Sequence, residues 1–227
     1  MRKNDKMKNI FADKASLVPR KMLLNPKRKW VVRDFTRYEG ISLGMSQEVL
    51  KAMAIKGYIE RVKKGPESYT VLTNKEKLIS DWVESYSFDK NVIDSYYSAD
   101  KYILNKFRKV LKEKHYALTL HIGANLMTSF VRTEEIFVYL NLKDWEKDIL
   151  EIRQKLELKE LVRGGGNVHF IHSFYKNSVF FNAQKIKGYH VVSNLQLYLD
   201  LYNYQPRGRE HAEYLIKLLG EKGKDLE

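Results

Sequence analysis

The apolar period of the chain changes at Gly57. Before it, in SLGMSQEVLKAMAIK (42–56), Val49, Leu50 and Met53 recur at helical spacing, while Ser42, Gln47, Glu48 and Lys51 fall on other faces. After it, YIERV (58–62) alternates apolar and polar residues, KKGPE (63–67) carries turn chemistry, and SYTVL (68–72) alternates again, which predicts a β-hairpin. A helix that served only to fill a core would have no need of a basic two-stranded flap behind it.

The flanking segments extend the pattern. Phe11, Leu17, Met22, Leu23 and Leu24 predict a helix that ends before Asn25 and Pro26. In WVVRDFTRY (30–38), Trp30, Val31, Phe35 and Tyr38 recur near helical spacing, with Arg33, Asp34 and Arg37 elsewhere, until Gly40 breaks the helix. Ser42 is the expected N-cap of the next helix and Lys56-Gly57 its stop. Asn74 is expected to cap a further helix over 75–86, with Leu78, Ile79, Trp82 and Val83 on its apolar side. Helix, helix, glycine turn, helix and basic hairpin is the order of a winged helix.

With 227 residues, 44% of them hydrophobic and 30% charged, the chain suits two folded domains of about 100 residues each. It contains no cysteine, which excludes a disulfide framework and thiolate metal sites. No apolar run approaches the roughly 18 to 20 residues of a membrane span, and no signal-peptide pattern follows the lysine-rich start. A cytoplasmic location is expected. Of the net charge of +13, residues 1–37 supply +9, as twelve Lys or Arg against three acids. Such a block attracts a polyanion and neutralises phosphates with counterion release, so nucleic acid is the leading partner, with a solubilising or acidic-protein-binding face as the alternative.

Residues 30–62 resemble the winged helix-turn-helix of bacterial regulators, in which a glycine turn precedes the recognition helix and a strand of the form G-hydrophobic-I-E-R leads into the wing. The resemblance implies that the third helix lies in the major groove of double-stranded DNA and reads base edges with its outward face. Gln47 would pair with adenine, Ser42 would touch phosphate or base, Lys51 phosphate or guanine, and Lys63 and Lys64 the flanking backbone. Arg33, Arg37 and Met45 complete the candidate DNA-binding set. Glu48 on the same face is a repulsive charge near phosphate.

From residue 98 onward the pattern is mixed. Helices are expected at 99–113, 124–131, 143–156, 194–204 and 209–219, and strands at 116–121, 136–141, 167–172, 178–183 and 189–193, the later ones antiparallel. The predicted fold class is α+β. It divides into a basic arm with a first helix (1–29), a winged helix-turn-helix (30–86) and a mixed α/β domain (98–227), with 87–97 as a polar connector.

YALTLHIGANL (116–126), NVHFI (167–171) and VVSNLQLYLDLYNYQPRGREHAEYL (191–215) resemble the C-terminal domain of the AbiEi-type antitoxin and transcriptional-regulator family of type IV toxin-antitoxin systems. What this resemblance implies is a winged-helix domain that binds operator DNA near its own operon and represses it, with a second domain that supports antitoxicity. Winged-helix regulators often bind inverted repeats as homodimers, and a monomer with two DNA-contacting domains is the alternative. The resemblance also implies a functional link to a nucleotidyltransferase toxin, without a tight toxin complex. In the signature itself, Leu195, Leu197, Tyr198, Leu199 and Leu201 are expected to pack a helix on the sheet. Gln196, Asp200, Arg207, Arg209 and Glu210 are the candidate motif residues, with Asp200 expected to hold Arg207 or Arg209. Gly208 permits the turn between the last two helices.

An enzyme is disfavoured. The six histidines show no ligand pattern, and GGG (164–166) lacks the Lys-Ser/Thr of a phosphate-binding loop and reads as a hairpin tip. The rival reading is a nucleotide- or nucleic-acid-binding protein with a degenerate nucleotidyltransferase-like second domain, since HIGAN (121–125) faintly fits that fold. The strand at 136–140 carries no carboxylate for Mg²⁺, and Asp144 and Glu146 come only at the start of the next helix. No cofactor is predicted.

Overall fold

A computed structural model describes residues 9–36, 40–111, 116–161 and 164–226. The described residues form two compact units, one of those within 9–86 with 175–181, the other of those within 87–174 with 182–226. Helices and strands are mixed in an α+β arrangement. Among the described residues no helix is long and apolar enough to cross a membrane.

In the first unit, α1 (Asp13–Leu24) buries Leu17, Val18, Met22 and Leu23. The segment expected to be helical over 30–38 contains only a 3-10 turn at Val32–Phe35. Trp30 instead exchanges backbone hydrogen bonds of 2.8 Å with Thr70, an extended pairing that the helical spacing of its apolar neighbours concealed. Trp30 stacks on Phe35 at 5.2 Å, and the Asp34 carboxylate accepts from the Val31 N–H.

Helix α2 (Leu43–Ile55) is capped by the Ser42 hydroxyl, which accepts from the Met45 N–H at 3.1 Å. It ends in paired bonds from Gly57 N–H to the Ala54 carbonyl and from Tyr58 N–H to the Met53 carbonyl, with Gly57 at φ +76°. That closing turn needs a left-handed residue, which glycine adopts without strain. Strands β1 (Ile59–Val62) and β2 (Tyr69–Leu72) then pair antiparallel with Ile59 opposite Leu72, and α3 (Lys75–Ser85) is capped by Asn74.

Residues 175–181, expected in part as a strand, are turns that complete this unit. The Tyr175 hydroxyl donates to the Phe11 carbonyl and accepts from Trp82 Nε1, while Asp13 accepts from the backbone of Asn177 and Ser178.

The second unit is built on a six-stranded sheet in the order β3-β6-β5-β4-β8-β7. These strands are β3 (Val92–Tyr96), β4 (Tyr116–Thr119), β5 (Ile136–Leu140), β6 (Val168–His172), β7 (Gln184–Ile186) and β8 (Tyr189–Val191). Edge strand β3 lies within the stretch expected as a polar connector. Pairing alternates between antiparallel and parallel, because β6 runs parallel to β5 and β8 parallel to β4. Of the late strands expected to be antiparallel, β7 and β8 pair so with each other and β6 pairs so with β3, while β6 and β8 also run parallel to β5 and β4. GGG precedes β6 and is not a hairpin tip; a Cβ on Gly166 would strike the Tyr96 carbonyl.

Helices α4 (Ile103–Val110), α5 (Leu120–Thr128), α6 (Trp145–Leu156), α7 (Asn194–Tyr202) and α8 (Gly208–Glu221) complete the unit. Helix α5 begins one residue after β4. A Cβ on Gly123 would come within 3.1 Å of the Leu118 backbone and of Leu197, so this glycine serves close packing of α5 on β4 and α7.

Candidate functional site

On α2 the buried residues Ser46, Val49, Leu50, Ala52 and Met53 face the core of the first unit. At 100° per residue, Gly44, Gln47, Glu48, Lys51 and Ile55 share an arc of about 100° on the opposite side. All five are exposed. Gln47 and Lys51 therefore stand one turn apart on a single solvent-facing stripe. Met45 is half-buried and lies beside it, and Ser42 caps the helix end that leads into it.

Arg33 is exposed on the 3-10 turn, and Arg37 lies outside the described residues. Lys63 and Lys64 are exposed at the hairpin loop, where the Ser68 hydroxyl accepts from the Lys64 N–H at 3.1 Å and donates to the Gly65 carbonyl at 2.7 Å. The loop is thus held by its own hydrogen bonds, with both lysines exposed. Lys29 sits 4.7 Å from the centre of the Tyr69 ring on β2, which adds a further cation beside the hairpin.

The basic N-terminal block is only partly a surface feature. Arg20 is fully buried, its guanidinium 5.1 Å from the Trp82 ring centre and 5.9 Å from that of Tyr175, and Lys21 is buried too. Arg28 lies over Trp30 at 4.3 Å and pairs with Asp34 at 3.1 Å. Charge counting along the sequence treats every Lys and Arg alike and so overstated the exposed positive charge.

The C-terminal motif resolves into a buried centre and an exposed turn. Asp200 is fully buried and accepts from the Thr119 hydroxyl at 2.5 Å, from Gln196 Nε2 at 2.8 Å and from the Tyr139 hydroxyl at 3.2 Å to each oxygen. Asn91 Nδ2 lies 3.3 Å from that hydroxyl. These partners of Asp200 come from the sheet and from α7 itself, where the sequence suggested Arg207 or Arg209 of the next turn. Arg207 instead pairs with Glu210 at 3.0 Å and lies over Phe130 at 5.3 Å, and Arg209 lies over Tyr202 at 4.7 Å. Thr119 and Tyr139 lie on strands far from Asp200 in sequence, and no local spacing signals their role.

A second buried group was invisible for the same reason. His121 and His211, on α5 and α8, stack with ring centres 5.1 Å apart, and Thr128 Oγ1 lies 2.7 Å from His211 Nε2. Burial lowers the pKa of both imidazoles, that of His211 to about 4. Asp144, the carboxylate nearest in sequence to the β5 strand on its C-terminal side, caps α6 by accepting from the Lys147 N–H at 3.2 Å.

This pairing of a buried carboxylate with the LQLYLDLY helix and the RGRE turn lies wholly within residues 71–219, which match the family described as transcriptional regulator, AbiEi antitoxin, type IV TA system. The match covers 149 of 227 residues. The chain belongs to this family. The AbiEi match takes in α3 and nearly all of the second unit, and it begins after α2 and the hairpin loop. No curated protein and no solved structure matches the chain. The family description is that of regulators and antitoxins, and it lends no support to an enzymatic role.

Proposed function

We propose that the protein is a sequence-specific DNA-binding transcriptional regulator that represses its own operon as the antitoxin-like member of a type IV toxin-antitoxin pair. Membership of the AbiEi family supports regulation. The observation that carries DNA binding is the stripe of Gly44, Gln47, Glu48, Lys51 and Ile55 on α2, with a cation-bearing hairpin directly after the helix.

Read as a winged helix, the first unit uses the Trp30–Thr70 pairing as the third strand of the wing sheet and the 3-10 turn as a shortened second helix. Helix α2 then enters the major groove. Gln47 offers its amide to adenine, the Ser42 hydroxyl keeps its hydrogen for a phosphate oxygen, and Lys51 reaches phosphate or guanine. Lys63 and Lys64 grip the backbone beyond the groove, with Arg33 alongside. In the second unit, Gln196 and Asp200 set the packing of α7 on the sheet, and Arg207, Arg209 and Glu210 shape the exposed turn.

The test is selection of genomic fragments by the purified protein at about 150 mM salt, which suppresses much sequence-independent binding. A short motif upstream of the protein's own gene is the expected product. Gln47→Ala should weaken that site by about 1 to 3 kcal/mol and relax its sequence preference. Recovery without sequence preference would refute the proposal.

A further inference from the structure

Two apolar side chains on α2 are exposed. Ile55 is 66% exposed and Leu43 46% exposed. Among the described residues of the first unit, Ile55 is the most exposed large hydrophobic side chain. Single exposed apolar residues are common and need no explanation. Ile55, however, lies within the same arc as Gln47 and Lys51, and Leu43 lies about 40° beyond its Gln47 edge, at the start of the helix.

Gly44 is a second, independent observation. A Cβ built on it would meet nothing within 4 Å, and its backbone is not in the left-handed region. Neither the fold nor the turn geometry asks for glycine there, although glycine weakens a helix relative to alanine. A backbone that must approach another molecule closely does ask for it. At the capped start of α2, on the stripe that faces solvent, that molecule is the duplex.

The chemistry of the stripe narrows what it reads. It holds no arginine, the side chain that most often selects guanine, and its amide, Gln47, suits adenine. Apolar side chains in the major groove have one distinctive target, the 5-methyl group of thymine. We infer that α2 selects A·T base pairs through thymine methyl groups, with Ile55 and Leu43 as the contacting side chains and Gly44 allowing the close seat. This inference rests on the DNA-binding reading given above.

The experiment takes the duplex recovered by genomic selection and replaces its thymines with uracil one at a time, which removes only the methyl group. With the full-length protein, affinity should fall about fourfold at each contacted thymine, the value expected for one buried methyl group. Ile55→Ala and Leu43→Ala, both at exposed positions that the fold tolerates, should each abolish the thymine-uracil difference at one base pair. Gly44→Ala should raise the thermal midpoint and lower the affinity.

Selective binding with equal affinity for thymine and uracil duplexes would overturn the methyl inference and leave the DNA-binding reading standing. A thymine preference that survives in both alanine variants would overturn the assignment to Ile55 and Leu43. Absence of selective binding to any duplex would refute the underlying reading instead.

Discussion

The Nδ1 atoms of His121 and His211 lie 2.8 Å apart. His121 Nε2 lies 3.1 Å from the Pro206 carbonyl, which can only accept, so that nitrogen carries a hydrogen. A neutral His121 then accepts at Nδ1 from the Nδ1–H of His211, which leaves His211 Nε2 an acceptor 2.7 Å from the Thr128 hydroxyl; that hydroxyl also lies 3.0 Å from the Ala124 carbonyl and has one hydrogen for the two. In these tautomers the pair carries no net charge. It is a buried neutral relay that links α5, α8 and the turn before α8.

Acid should destabilise the second unit through this pair and through His169. Burial lowers His211 and His169 to about 4, with His121 and Arg207 adding to the effect at His211, and lowers His121 as well. The unfolded chain binds these protons below an ordinary pKa of about 6.5, whereas the folded protein binds them only near 4. In that window the unfolded state holds more protons, so stability is full above about pH 6.5 and is lost as pH falls towards 4. Urea unfolding across the window should show a loss on the order of 2 kcal/mol each from His211 and His169, reduced in His211→Gln. A flat profile would contradict the neutral relay.

Asp200→Ala should be among the most damaging single changes. It leaves the donors of Thr119, Gln196 and Tyr139 without their common acceptor in a buried site. A loss of about 3 to 5 kcal/mol in unfolding free energy is expected, against about 1 kcal/mol for Tyr139→Phe, which removes one donor of the set. Equal effects of the two changes would show that Asp200 is not the hub.

Gly208→Ala tests the turn between α7 and α8. A Cβ there would strike the Leu201 carbonyl and approach Tyr204 Cβ at 3.0 Å, both of them parts of a packed corner. Destabilisation of about 2 kcal/mol or more is expected, although alanine favours helices. Gly44→Ala, on an open helix face, should act in the opposite direction, and calorimetry of the two variants side by side separates packing from propensity.

The hairpin lysines should reveal themselves in salt dependence. If Lys63 and Lys64 each neutralise one phosphate, the slope of log affinity against log salt falls in magnitude by about 0.9 for each alanine substitution, with little change in sequence preference. Binding isotherms at several salt concentrations decide this. An unchanged slope in the double variant would place the hairpin away from the backbone.

The elements best read from sequence are those whose signals are local. Ser42, Gly57 and Asn74 mark the ends of α2 and α3 because caps and stops act within a turn of the residue that makes them. The stretch at 30–38 misled because Trp30 is fixed by Thr70, a residue 40 positions away, which overrides helical spacing. Strand β3 escaped notice because Asp94 and Ser95 find partners in Trp145 and His169, so polar residues there do not mean a solvated linker. The Asp200 centre and the histidine relay are assembled from strands and helices tens of residues apart, and no periodicity encodes them. On α2 the reverse holds, since exposure of Gln47 and Lys51 follows directly from the helical wheel.

The membership of residues 175–181 in the first unit has a consequence for biosynthesis. Trp82 and Phe11 receive the Tyr175 hydroxyl, and Asp13 receives Asn177 and Ser178, only after the intervening chain exists. The roughly 95 residues from Tyr86 to Phe181 take about 5 to 20 s to synthesise. During that interval the nascent first unit lacks the cover of its Arg20–Trp82 stack. A chain released early, at Tyr86, never acquires it. The unit that carries α2 is thus finished only when about four fifths of the protein has left the ribosome, which ties its maturation to completion of most of the gene.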